Sequence, residues 1–129
     1  MFTILVCGGR NYADIDKLYC ALDSVVDKHG LWHPNYPNNC VSQELLIVSG
    51  ACPRGADAFA RDWAGERGAR INEYLPNWSK YELRAPSIRN DYIFEHEKVN
   101  LVQVFGYDAN SEDLIRRAKK ARIEVKIIK

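Results

Sequence analysis

Residues 2–9 of the chain read FTILVCGG, an apolar and β-branched run that stops at Gly8 and Gly9. A run of this kind, bounded by glycine, is typical of a buried parallel strand that enters a tight turn. From Asp14 onward, apolar residues recur at three- and four-residue spacing until Gly30, and Asp14 itself is a suitable helix cap. The opening of the chain therefore predicts a strand, a glycine turn and an amphipathic helix.

The same unit recurs along the rest of the chain. A second apolar run at residues 44–48 enters a glycine-bearing turn, and a helix is predicted between Gly55 and Gly68. The remaining predictions are an edge strand (69–75), a helix after Pro86 (87–99), a strand (101–105), a helix (111–120) and a last strand (123–128). Strands that alternate with helices predict an α/β fold with a Rossmann-like open parallel sheet, sandwiched by helices in three layers.

Composition limits the classes of protein that the chain can represent. Its 129 residues suit one domain over residues 1–129, and 47% hydrophobic with 27% charged residues is an ordinary globular balance. The net charge of +1 gives no strong positive field that would attract nucleic acid, and no apolar run is long enough to cross a membrane. The four cysteines lack metal-ligand spacing, so neither a metal nor a cofactor is predicted. Reduced thiols and the absence of a leader pattern favour the cytoplasm.

Three glycine-bearing turns follow predicted strands, at residues 7–10, 49–57 and 105–111. Ligands of open parallel sheets bind beyond the carboxyl ends of the strands, where glycine and helix N-termini bring backbone N–H groups close to anions. Arginine side chains near these turns add bidentate contacts to phosphate. The predicted ligand-binding residues are Gly8, Gly9, Arg10, Ser49, Gly50, Ala51, Arg54, Gly55, Asp57, Arg89, Asn90, Gly106 and Ser111.

One carboxylate in this set, Asp57, has two interpretations. A carboxylate repels phosphate, so Asp57 either accepts a hydrogen bond from a ribose hydroxyl or caps its own helix. The sequence has neither G-x-G-x-x-G nor G-x-x-x-x-G-K-[ST], which argues against a standard dinucleotide dehydrogenase and against a P-loop NTPase.

Short motifs along nearly the whole chain, in a fixed order, resemble the YspA-type, cpYpsA-related branch of the SLOG superfamily. The motifs are GGRNY (8–12), SGA (49–51), GAD (55–57), A-x-x-W-A (60–64), P-x-W (76–78) and RN (89–90). The resemblance implies a Rossmann-like domain, distantly related to the LOG phosphoribohydrolases and to nucleotide-sensing domains of bacterial and phage conflict systems. It also implies a bacterial or phage source.

The third turn departs from this family. Similar proteins have a second diglycine turn of the G-G-x-G-T type before the last helix, whereas here only Gly106, Ser111 and Asp113 are similar to it. In the LOG enzymes, to which the resemblance extends, an arginine and a glutamate form the catalytic pair. Arg89 matches the arginine by motif order, and Glu112 or Asp113 approximates the glutamate. A loop at residues 32–39 is longer than usual in the family, which suggests a lid or an oligomer contact.

Three functions follow as hypotheses. In the first, the chain binds a nucleotide or nucleotide-derived signal as a sensor or sequestering protein, because a binder tolerates the loss of a catalytic carboxylate. In the second, it is a phosphoribohydrolase that cleaves the N-glycosidic bond of a nucleoside monophosphate. In the third, it is a non-catalytic assembly module with an unused pocket, whose contact residues are Trp32, Tyr36, Trp78 and Tyr81. A homo-oligomer is compatible with all three.

Overall fold

A parallel β-sheet organises the chain, whose computed structural model describes residues 1–37 and 39–128. The strands are β1 (Phe2–Gly8), β2 (Leu45–Ser49), β3 (Arg70–Glu73), β4 (Leu101–Phe105) and β5 (Glu124–Ile128). The helices are α1 (Ile15–Lys28), α2 (Ala56–Arg67), α3 (Trp78–Tyr81), α4 (Ala85–His96) and α5 (Ala109–Lys120), with a 3₁₀ turn at Glu82–Arg84. The described residues thus form the strand–helix alternation that the sequence predicts.

The order of the strands, β3-β2-β1-β4-β5, places β1 at the centre of the sheet. The chain runs outward from β1 through β2 to β3, then returns to the other side of β1 to form β4. Every pairing is parallel, and Leu5 of β1 lies between Val48 of β2 and Val102 of β4. The strand order therefore reverses between β1 and β4, which is the position where open α/β sheets bind ligands.

Helices cover the two faces of this sheet and make three layers. On one face α1 and α2 pack through Leu22 and Trp63, and on the other α4 and α5 pack through Ile93 and Leu114. Trp63 is fully buried, and its indole N–H donates to Asp23 Oδ1 of α1 at 2.9 Å. The three-layer, Rossmann-like arrangement confirms the predicted fold class.

Local capping explains where the helices begin and end. Asp14 accepts a hydrogen bond from the Lys17 N–H at 3.1 Å, and Gly68 ends α2 in the left-handed conformation. The last helix begins at Ala109, two residues before the predicted start, because Asp108 is its N-cap. The short helix α3 was not predicted from the sequence, since four residues are too few for a periodic pattern.

At the start of the 32–39 loop, Trp32 forms an antiparallel bridge with Val41. Asn38 lies outside the described residues, so a lid or oligomer contact formed by this loop stays a prediction. None of the helices in the described part of the chain is long and apolar enough to cross a membrane.

Candidate ligand-binding cleft

A polar cleft of about 250 Å³ lies at the carboxyl ends of β1, β2 and β4, beside the reversal of the strand order. The residues that line this cleft are Gly8, Arg10, Gly50, Ala51, Cys52, Pro53, Asp57, Leu75, Pro76, Trp78, Pro86, Arg89, Asp108 and Asn110. They come from the turns after β1, β2 and β4, from the segment after β3, and from α4. The fold thus brings segments that are far apart in sequence to one end of the sheet.

Two glycines allow the turns around the cleft to touch. A Cβ on Gly8 would lie 1.7 Å from the carbonyl oxygen of Phe105, so β1 and the end of β4 approach too closely for any side chain. Gly55 has a φ of 76°, and a Cβ there would lie 2.3 Å from the carbonyl oxygen of Gly9. These contacts hold the N-terminus of α2 against the β1 turn.

Arg89 on α4 forms one wall of the cleft and is held by several protein groups. Its Nη1 donates to the carbonyl oxygens of Gly50 at 2.9 Å and Tyr74 at 3.1 Å. Its Nε donates to Asn90 Oδ1 at 2.8 Å and its Nη2 to Asn110 Oδ1 at 3.2 Å. Burial lowers the pKa of Arg89, partly offset by nearby carboxylates. Four of its five N–H groups are therefore used in positioning, which leaves one for a ligand.

Asn90 and Asp113 form a network behind Arg89 rather than in the cleft. Asn90 is fully buried, and its amide nitrogen donates to Asn110 Oδ1 and to Asp113 Oδ2, each at 2.9 Å. Asp113 also accepts from Arg117 Nε at 2.9 Å and from Arg116. Although burial alone would raise the pKa of Asp113, these hydrogen bonds and arginine charges lower it. Asp113 is thus a paired carboxylate that ties α4 to α5.

Glu112, the other carboxylate considered for catalysis, lies on the exposed side of α5. It does not line the cleft, and its side chain interacts with Tyr107. The structure brings Arg89 to the cleft but does not bring Glu112 or Asp113 there.

Asp57 is the buried carboxylate of the cleft. It is 9% exposed, and its Oδ2 accepts a hydrogen bond from the Cys52 backbone N–H at 3.1 Å. Burial raises the pKa of Asp57 to about 6, against the lowering effects of the Cys52 hydrogen bond and Arg89. The alternative that Asp57 caps its helix is wrong, because Gly55 is the N-cap and no side chain caps α2. Its second oxygen, Oδ1, has no protein partner in the described part of the chain.

The N-termini of α2 and α5 meet the cleft differently. Within the described residues, the backbone N–H groups of Gly55, Asp57 and Ala58 donate to no protein acceptor. At α5, Asp108 Oδ1 accepts from the Ser111 N–H at 2.8 Å and from the Ser111 hydroxyl at 2.9 Å. The N-terminus of α2 therefore has free N–H donors for a ligand, whereas the N-terminus of α5 is capped by its own side chain.

The predicted site residues divide into four groups by position. Those that line the cleft are Gly8, Arg10, Gly50, Ala51, Asp57 and Arg89. Gly9 and Gly106 line a shallower crevice that shares Arg10 and Asp108 with the cleft. Ser49, Gly55, Asn90 and Ser111 are buried behind the lining, and Arg54 is exposed outside it.

Several lining residues were missed from the sequence. Asp108 and Asn110 lie in the third glycine turn, where only Gly106 and Ser111 were chosen because they match the family pattern. The spacing of Asp108 and Ser111 is itself an N-cap signal that was available in the sequence. Cys52 and Trp78 carry no local pattern that points to a cleft.

The four aromatic residues proposed for an assembly surface differ in how far their side chains are exposed. Tyr36 and Trp78 are 57% and 52% exposed, whereas Trp32 and Tyr81 are only partly exposed. Trp32 also packs against the core beside α1, and its indole nitrogen is buried.

A doubly wound parallel sheet with a polar cleft at the reversal of its strand order defines a Rossmann-like ligand-binding class of domain. Residues 2–81 match the model of the YspA, cpYpsA-related SLOG family, and the chain belongs to this family.

The fold is also similar to the structure of the Moco carrier protein from Chlamydomonas reinhardtii. The similarity has a TM-score of 0.57 at 15% sequence identity and covers 99% of this chain and 76% of that chain. At this identity the likeness establishes the fold alone. A comparison with curated protein sequences finds no match.

Proposed function

We propose that this chain binds a nucleotide or nucleotide-derived small molecule in the cleft, as a sensor or sequestering protein. One observation carries the proposal. A positioned guanidinium, that of Arg89, and an unpartnered oxygen of a buried carboxylate, that of Asp57, line the same small cleft at the reversal of the strand order. Polar groups that are buried and positioned before a ligand arrives are typical of a pre-formed binding site.

The two sides of the cleft suit different parts of such a ligand. The free N–H groups at the start of α2 and the exposed side chain of Arg10 suit a phosphate. Asp57 would repel phosphate, so its free oxygen suits a hydroxyl group such as those of ribose. The arrangement therefore favours a sugar phosphate over a simple anion.

The comparisons support a binding role. The chain belongs to a SLOG family, and the structural neighbour is named as a carrier protein. Under this proposal the same fold holds a ligand without turning it over. At the third turn Asp108 occupies the helix N-terminus and Glu112 does not line the cleft, which favours a binder over an enzyme that uses this glutamate.

The proposal is tested by incubating the purified protein with nucleoside mono-, di- and cyclic phosphates and adenine dinucleotides. Bound and free species are then identified by mass spectrometry, and affinities are measured by calorimetry. We expect an intact nucleotide in the protein fraction. If no compound in this panel is retained, the proposal is wrong.

Two arginines provide a matched pair for the phosphate contact. Arg10 and Arg54 are both exposed and both lie in glycine-bearing turns, but only Arg10 lines the cleft. Arg10→Ala should weaken nucleotide binding by about 10-fold, since a hydrogen bond to a charged group contributes about 1.5 kcal/mol. Arg54→Ala should leave it unchanged. Equal losses in both variants would indicate a general charge effect instead of a cleft contact.

A second candidate function, hydrolysis of the N-glycosidic bond of a nucleoside monophosphate, is favoured by Asp57. A carboxyl group in the cleft with a pKa near 6 suits general base catalysis at neutral pH. In this reaction Asp57 would take a proton from water as the water oxygen bonds to the anomeric carbon. The C–N bond breaks, and the base leaves with its electron pair. The base takes up a proton from solvent, to which Asp57 returns the proton that it took.

This second candidate predicts free base and ribose phosphate in solution. Asp57→Asn should abolish turnover but retain binding, because the amide oxygen still accepts from the Cys52 N–H and the amide nitrogen can donate to the oxygen of a ligand hydroxyl. Asp113→Asn is the comparison, since Asp113 lies outside the lining. Intact nucleotide after long incubation with the wild-type protein would reject hydrolysis.

A further inference from the structure

An apolar groove of about 330 Å³ adjoins the polar cleft and shares two of its residues, Leu75 and Arg89. The tyrosines Tyr74, Tyr81 and Tyr92 form much of its remaining wall. The polar cleft provides carboxylate, guanidinium and amide groups, whereas the groove provides mainly rings and aliphatic side chains. The two spaces are therefore adjacent but chemically different.

The aromatic rings of the groove are fixed before any ligand binds. The hydroxyl group of Tyr74 donates to Glu97 Oε2 at 2.5 Å. Tyr92 stacks on His96 with ring centroids 3.8 Å apart and an interplanar angle of 18°. Tyr74 and Tyr92 also contact each other, with centroids 5.7 Å apart. A wall of positioned rings costs a flat ligand little ordering entropy.

Two features of the groove are suited to an aromatic ring with polar edges. Tyr92 is 49% exposed, so part of its surface is accessible to a ligand although His96 stacks on it. Asn77 lines the groove with its Oδ1 already accepting from Ser79 and from the Lys80 N–H. Its amide N–H₂ donates to no protein group in the described part of the chain, so it can donate to a ring nitrogen or oxygen.

We infer that this groove is the subsite for a flat heteroaromatic ring of the ligand whose sugar phosphate occupies the polar cleft. The inference rests on the proposed function and narrows it to ligands that carry a nucleobase-like ring. Arg89 lies at the junction, where its position is set by the Tyr74 carbonyl on the groove side and by Asn110 on the cleft side. A ligand that spans both spaces passes this guanidinium.

The test compares AMP with ribose 5-phosphate by calorimetry on the wild-type protein. Both probes carry the sugar phosphate, and only AMP carries the ring. Because stacking of a base on aromatic side chains contributes about 10- to 100-fold in affinity, we expect AMP to bind tighter than ribose 5-phosphate by about that factor. Equal affinities would overturn the ring subsite and leave the proposed function intact. Failure of both probes to bind would overturn the ring subsite, and the wider nucleotide panel would then decide the proposed function.

A tyrosine pair locates the effect in the groove. Tyr92→Leu keeps apolar area but removes the ring, and should reduce the advantage of AMP about 10-fold without changing ribose 5-phosphate binding. Tyr36→Leu is the control, because Tyr36 is 57% exposed and does not line the groove. Thermal unfolding verifies that each variant is folded, and Tyr81→Leu replaces Tyr92→Leu if the latter is not.

Two further results would count against the subsite. If Tyr92→Leu changes the oligomeric state measured by light scattering and not the affinity for AMP, the groove is a contact between copies of the chain. If AMP bound to the wild-type protein shows no upfield shift of its ring protons by NMR, no aromatic side chain stacks on the base.

Discussion

The turns after β2 and β4 occupy equivalent places in the fold but differ in how the helix that follows is capped. Each follows a fully buried strand and begins a twelve-residue helix on the sheet. The β2 turn begins its helix at Gly55 with no side-chain cap, and the backbone N–H groups of Gly55, Asp57 and Ala58 have no protein acceptor among the described residues. The β4 turn begins its helix at Asp108, whose carboxylate accepts from Ser111. One helix N-terminus is available to a ligand, and the other is occupied.

The difference between the two turns lies in which groups occupy their helix N-termini. Where similar proteins are expected to have glycines, Asp108 caps α5 and Asn110 accepts from Arg89 and Asn90. The side chains supply hydrogen bonds that a glycine turn would leave to a phosphate. The third turn therefore contributes positioning to the cleft, and the anion-binding donors belong to the second turn.

The largest expected effect comes from adding a side chain at Gly55, in the turn after β2. In Gly55→Ala the new Cβ would meet the Gly9 carbonyl oxygen at 2.3 Å, at a φ of 76° that L-residues rarely adopt. We expect a loss of at least about 3 kcal/mol in the free energy of unfolding, from backbone strain and overpacking together. Urea denaturation measures it.

Gly65 supplies the control for this substitution. It lies in the exposed interior of α2, where a Cβ meets nothing within 4 Å. Gly65→Ala should stabilise the protein by about 0.5–1 kcal/mol through helix propensity. A mild effect of Gly55→Ala, similar in size to that of Gly65→Ala, would mean that the turns after β1 and β2 do not need their close contact at Gly9.

The fold was predictable because periodicity and turns agree along the chain. Buried parallel strands such as β1 and β4 read as continuous apolar runs, and Gly68 ended its helix where the sequence indicated. The predicted start of α5 at Ser111 was two residues late, because Asp108 is the cap and the helix begins at Ala109. Local sequence patterns therefore predicted the buried strands and the end of α2 but not the exact start of α5.

The site was only partly predictable, because sequence shows residue type but not neighbourhood. Arg10 and Arg54 look alike in sequence, and only the packing of the turns places Arg10 in the cleft. Asp57 and Asp113 are likewise similar carboxylates near helix starts, yet burial dominates one and arginines dominate the other. The groove beside the cleft depends on α3, which has too few residues to leave a pattern.

The next effect is a pH dependence that separates Asp57 from Asp113. The folded pKa of Asp57 is raised from 3.8 to about 6, so ionising it costs stability as the pH rises from about 4 to 6. The cost above pH 6 is about 3 kcal/mol, at about 1.4 kcal/mol per pKa unit. Asp57→Asn removes this cost. Its free energy of unfolding should therefore rise relative to wild type between pH 4 and pH 7, by up to that amount.

Asp113→Asn should instead differ from wild type by a nearly constant amount between pH 4 and pH 7 and change only in stronger acid. The folded pKa of Asp113 is lowered, so its stabilisation is present above the unfolded pKa and is lost as the pH falls. The variant should be least stable relative to wild type at neutral pH and approach it in acid. Urea denaturation at each pH from 2 to 7 measures both variants, and parallel curves for the two would show that their surroundings do not differ as described.

The smallest expected effect tests whether α5 is closed to ligands by its own cap. Asp108→Ala and Asp14→Ala each remove an N-cap carboxylate, one beside the cleft and one on α1. Each should lose about 1 kcal/mol of stability, the usual contribution of a cap. Only Asp108→Ala also removes a negative charge from the cleft and frees the Ser111 N–H, so only it should tighten binding of a nucleotide, by a few-fold. If calorimetry shows equal affinity for the two variants, the cap of α5 does not restrict the ligand, and the contrast between the two turns concerns stability alone.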